Sequence, residues 1–172
     1  EDVATGVMYL TSSDLEIMDD GGEQVVAIRF PNVDVPAGAT VTSAIISFDV
    51  DEVRPGQSDV DVTVSIFGEA SGDPAAISDT AFDLSLRTPT TAAVVWNPEV
   101  SIATHELLYS SDIAPVVQEI ISLDGWASGN ALMILFGHVS GAGVRWVEGK
   151  RTMDNGVGTP GIEITYSTGD GC

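Results

Sequence analysis

The stretch Asp59–Phe67, DVDVTVSIF, decides the fold class. On an extended chain Val60, Val62, Val64 and Ile66 share one face, while Asp61, Thr63 and Ser65 share the other. A period of two is what a pleated strand imposes when one side is buried and the other meets water. Thr42–Asp51, TSAIISFDVD, repeats the pattern with Ala44, Ile46, Phe48 and Val50 inward and Ser47, Asp49 and Asp51 outward. Gln24–Phe30 does so again, with Val26, Ile28 and Phe30 on one face and Arg29 opposite. Shorter runs at Val7–Thr11, Leu15–Met18, Ala92–Trp96, Val144–Val147 and Ile162–Tyr166 extend the series. Ala131–Phe136 is apolar throughout, which predicts a central strand covered on both faces.

Turn residues punctuate these runs at Asp19-Asp20-Gly21-Gly22, Pro36-Ala37-Gly38, Arg54-Pro55-Gly56 and Ser71-Gly72-Asp73-Pro74. About eight to nine strands broken in this way predict an all-β fold, an antiparallel jelly-roll sandwich. One segment has a different period. Between Asp112 and Leu123 the apolar residues Ile113, Val116, Val117, Ile120 and Ile121 recur at helical spacing. Ser111 or Asp112 can cap its start, Pro115 suits a first turn, and Asp124-Gly125 stops it. This predicts one short helix over residues 112–123, packed on an end of the sandwich. Gly68–Pro98 is weakly patterned and reads as a loop-rich connection crossing between the sheets. The chain divides into a single module over residues 1–166 and a linker-like tail, Ser-Thr-Gly-Asp-Gly-Cys, over 167–172.

The 172 residues carry 26 acidic and 6 basic side chains, a formal net charge of −20. That balance excludes a nucleic-acid surface and disfavours anionic lipid, because phosphates are met by Lys and Arg. The acids are scattered rather than run together, and Lys150 is the single lysine. This is a solvated anionic shell suited to a saline or calcium-containing medium, and it favours secretion to an extracellular or cell-surface location over the alternative of a cytosolic acidic protein. The one cysteine, Cys172, cannot close an intrachain disulfide. It leaves open covalent pairing between subunits.

Two kinds of chemistry are worth placing on this scaffold. Asp14, Glu16, Asp19, Asp20 and Glu23 gather around a Gly-Gly turn and are the candidate ligands for calcium, which takes six to eight oxygens. Asp49, Asp51 and Glu52 form a second acidic group. Sugar rings stack their C–H faces on aromatic side chains flanked by polar groups. Trp146, between Arg145 and Glu148, is the leading candidate for such a platform, with Lys150 close by; Trp96 and Tyr109 are the others. Trp126 reads instead as a plug capping the core. His105 and His138 are the only histidines and belong to no recognisable catalytic motif, so no enzymatic activity is expected.

Longer stretches carry a resemblance. SSDLEIMDDGG at Ser12–Gly22, VVAIRFPNVDVPAGATVTSAIISFDVDE at Val25–Glu52, GEAS at Gly68–Ser71, LRTPTTAAVVWNP at Leu86–Pro98 and IAPVVQEIISLDGWASGNAL at Ile113–Leu132 resemble disaggregatase-related, DNRLRE-type β-sandwich modules of marine bacteria and algae. The resemblance runs from about Val7 to Tyr166, and Leu135–Gly158 departs from the short hairpin of that family. It implies a jelly roll similar to carbohydrate-binding modules, used as an accessory domain of secreted or surface proteins, with no catalytic residue to transfer. The expectation is a non-catalytic module that binds polysaccharide or cell-surface glycan, with calcium as a stabilising ion. The alternative is a structural subunit that self-assembles into an extracellular fibre, sheath or coat, through sandwich edges or Cys172.

Overall fold

The computed structural model describes residues 1–149 and 158–169. Its strands form two antiparallel sheets packed over a shared apolar core. One sheet contains, in spatial order, β1 (Asp14–Ile17), β8 (Arg145–Glu148), β3 (Thr40–Glu52) and β6 (Leu107–Tyr109), with β9 (Gly161–Ser167) also paired to β3. The other contains β2 (Val26–Phe30), β7 (Leu132–Gly141), β4 (Val62–Glu69) and β5 (Pro89–Trp96). Pairing is nested along the chain: β4 with β5, β3 with β6, β2 with β7, and β1 with β8. The all-β sandwich expected from alternation is the fold observed.

The alternating positions account for the core. Ala44, Ile46 and Phe48 of β3 and Val64 and Ile66 of β4 are fully buried, and their polar neighbours face out. The apolar run Ala131–Phe136 lies in β7, the strand between β2 and β4. Leu132, Ile134 and Phe136 enter the main core. Met133 and Leu135 point the other way, into a second cluster with Leu84, Met8 and Ile77. A strand buried on both faces has no polar side to alternate with, which explains its composition.

That second cluster corrects two expectations. Val7–Thr11 forms no strand; it runs irregularly, and its Met8 packs over the outside of β7. The chain between β4 and β5 does not cross between sheets, because these strands are neighbours in one sheet. Instead it folds over the outer face of that sheet. Arg87 holds it there, ion-paired at 2.6 Å to Glu69 and 2.8 Å to Asp83 and donating to the Ala75 and Ala76 carbonyls. Leu107–Tyr109, which the alternation does not single out, forms the short edge strand β6.

The helix α1 (Ala114–Ile121) is shorter than the 112–123 expected. Val116, Val117, Ile120 and Ile121 are buried on its core side. Asp112 precedes it and accepts 2.9 Å bonds from the Ala114 amide and from the Ala44 amide of β3. The Gln118 side-chain carbonyl accepts from the Val41 amide at 2.8 Å, and its amide donates to the Ala39 carbonyl at 3.2 Å. The neighbouring Glu119 turns to the other sheet and accepts from the Thr91 and Ala92 amides at 2.8 and 2.7 Å. Two consecutive side chains thus stitch α1 to both sheets. Gly68 makes room for the helix, since a Cβ there would stand 2.6 Å from Ile120 Cδ1.

Ser167 closes β9, and Lys150 and Cys172 lie outside the described residues. No helix among the described residues is long and apolar enough to cross a membrane.

Candidate functional site

β5 ends at Trp96 and β6 ends at Tyr109, so the chain between them brings two of the sequence-predicted residues to one edge of the sandwich. Their roles differ. Trp96 is only 2% exposed. Its ring stacks on Phe48 at 5.5 Å and meets Phe136 edge-on at 6.1 Å. Its indole N–H donates to the Tyr109 carbonyl at 3.0 Å. Trp96 is therefore core, and no ligand can stack on it. Tyr109 sits on the outward side of β6 and is 55% exposed.

Beside Tyr109 lies a shallow concavity of about 360 Å³, lined by Trp96, Asn97, Glu99, Tyr109 and Ser111 among others. Asn97 Oδ1 accepts from Thr63 Oγ1 at 2.8 Å, and no partner is present for its Nδ2 among the described residues. The Ser111 hydroxyl donates to the Val95 carbonyl at 3.0 Å, so its oxygen stays available as an acceptor. An exposed ring, a free amide donor, a carboxylate and a hydroxyl therefore share one depression. This combination can hold a polyhydroxylated ring by stacking and directional hydrogen bonds.

Arg145 supports that depression from below. It is 5% exposed and points into the sandwich. Nε donates to the Glu99 carbonyl at 2.9 Å and Nη2 to the Pro98 carbonyl at 3.1 Å. Nη1 takes the Val60 and Val144 carbonyls at 3.1 and 3.2 Å. Burial lowers the pKa of this guanidinium, against the pull of Asp61 and Asp59. Arg145 is spent on these carbonyls; it fixes the backbone of Pro98 and Glu99 beside the site.

Trp146 departs from its expected role as a stacking platform. It is 3% exposed, and the Arg54 guanidinium lies 4.4 Å from its ring centre. Arg54 is itself held by Glu52 at 2.7 Å. The cation occupies the face a sugar would need. Glu148 lies on the same outer face, 5% exposed, and does not adjoin the Tyr109 concavity. Burial raises its pKa, with Asp51 and Asp49 adding to the effect and His105 opposing it.

The five candidate metal ligands divide between β1 and the turn that follows it. Asp14 and Glu16 alternate onto the outer face of β1, opposite Glu148 and Trp146 respectively. Burial, then Asp14 and Asp20, raise the Glu16 pKa. Asp19 turns back to accept from the Gly21 amide at 3.0 Å, while Glu23 approaches His138 Nδ1 at 3.6 Å. Asp20 remains exposed in the turn. Among the described residues, no three carboxylates, imidazoles or thiols gather where they could hold a metal ion. The other acidic group meets Glu148 instead, on a face where Asp49 Oδ1 is buried without a hydrogen-bond partner.

Sequence reasoning reached Tyr109 but missed Asn97, Glu99 and Ser111. Their only sequence trace is the Trp96-Asn97-Pro98 strand ending. No protein-family model matches this chain, and no curated protein sequence matches it.

Proposed function

We propose that the chain is a non-catalytic, extracellular jelly-roll module that binds glycan at the concavity beside Tyr109. The observation that carries this reading is Tyr109 itself, an exposed ring on an edge strand next to Asn97, Glu99 and Ser111. The nested strand pairing supports the jelly-roll assignment, and the resemblance to DNRLRE-type modules supports the accessory, secreted role. A stabilising calcium ion belongs to the same reading, and a melting temperature that is higher in millimolar calcium than in EDTA is the expected result. The test is a glycan-array screen of the native chain and of Tyr109→Ala. Binding that is present in the native chain and about tenfold weaker in the variant, with the melting temperature unchanged, is the expected result. Equal signals from both proteins would remove Tyr109 from the site.

The second reading is a self-assembling subunit of a coat or fibre. It draws on β9, which among the described residues pairs only with β3 and so offers one strand edge to a neighbour. Sedimentation velocity at rising concentration tests it. A monomer at every concentration, under oxidising conditions and with calcium present, excludes it.

A further inference from the structure

We infer that the site takes an uncharged, hydroxyl-rich glycan and rejects sulfated and uronic polymers. The inference rests on the glycan reading above and adds the ligand class. A sulfate or carboxylate on a polymer is recognised by Arg or Lys, whose charged donors match its oxygens.

The chain has six such residues, and the four described ones are all engaged elsewhere. Arg29 donates to the Pro74 carbonyl at 3.0 Å. Arg54 is bound to Glu52 and lies over Trp146. Arg87 is clasped by Glu69 and Asp83. Arg145 is buried beneath backbone carbonyls. Lys150 and Arg151 lie outside the described residues.

Among the described residues the concavity holds one carboxylate, Glu99, and no basic side chain. A carboxylate there accepts hydrogen bonds from hydroxyls well and repels any anionic substituent. The net charge of −20 adds a repulsive field that an approaching polyanion must cross. Tyr109, Asn97 and Ser111 complete a set suited to ring C–H faces and neutral hydroxyls, none of which needs a counter-charge.

Affinity electrophoresis of the intact chain tests this with a neutral β-glucan, a xylan and a mannan against an alginate and a sulfated galactan, each with calcium and with EDTA. At least one neutral polymer is expected to retard the native chain equally at low and high salt, because no ion pair is screened. Tyr109→Ala should weaken that binding about tenfold, as expected for one lost stacking contact. Glu99→Gln should weaken neutral binding a few-fold, because one charged acceptor is lost, and should reduce the exclusion of the polyanions. Tyr109-dependent binding of alginate or sulfated galactan, in EDTA or only with calcium, would overturn the ligand class while leaving the site in place. Failure of every polymer to bind would overturn the glycan reading itself.

Discussion

On the flank closed by α1, backbone amides at the sheet edges meet side-chain acceptors. Gln118 serves Val41, Asp112 serves Ala44, Ser110 serves Ile46, and Glu119 serves Thr91 and Ala92. On the opposite flank β9 pairs with β3 alone among the described residues, and Glu163, Thr165 and Ser167 are exposed along it. Beneath β9 runs a cavity of about 410 Å³ lined by Phe30, Val33, Val35, Ile162, Ile164 and Tyr166. The difference teaches how one small sandwich manages its edges. An unpaired strand edge invites another chain, and here side chains of α1 and of the segment just before it block that invitation on one side.

The comparison can be broken most directly in the core of each flank. Ile120→Ala removes a fully buried side chain from α1 and should cost about 2–5 kcal/mol in urea denaturation. Ile164→Ala, on half-buried β9, should cost less than half as much. Equal losses would show that the two flanks are closed alike.

A smaller effect comes from the polar stitching. Glu119→Ala frees two amides of β5 and should cost about 1–2 kcal/mol. It should also raise self-association in sedimentation velocity, because the exposed edge can then pair. A destabilised variant with unchanged sedimentation would separate stability from edge protection.

The next effect is in pH dependence. Desolvation acts to raise the Asp112 pKa, but the Ala44 and Ala114 amides and the Ser43 hydroxyl outweigh it and hold the carboxyl below its ordinary range. A depressed folded-state pKa contributes stability above the unfolded value, and that contribution disappears as pH falls through the folded value. Asp112→Asn should therefore lose stability relative to the native chain at neutral pH, with the gap narrowing below about pH 4. A constant gap across acid pH would remove the carboxylate charge from the account. The smallest effect is expected at Tyr109→Ala, whose melting temperature should stay within a degree or so of the native chain, as for most exposed substitutions.

Much of the fold was legible because strand and helix periods are local properties. Ala44, Ile46 and Phe48 announce their inward face from their own spacing, and Val116, Val117, Ile120 and Ile121 announce a helix by theirs. The connection between β4 and β5 was not legible. Its path depends on Arg87 reaching Glu69, 18 residues away, a contact no local period encodes. The site was legible only at Tyr109. Trp146 and Tyr109 look alike as aromatic residues among polar neighbours, yet one is covered by Arg54 and the other faces solvent.

By itself the sequence determined the all-β class, the inward faces of the longest strands, the position of the helix and the acidic surface. These follow from side-chain spacing and composition, which need no distant partner. Only the tertiary structure decided which aromatic ring stays open, which acids share a face, and which cation serves as a clamp. Exposure is set by what packs across the strand or over the ring, and at Trp96, Trp146 and Arg145 that covering comes from segments far away along the chain.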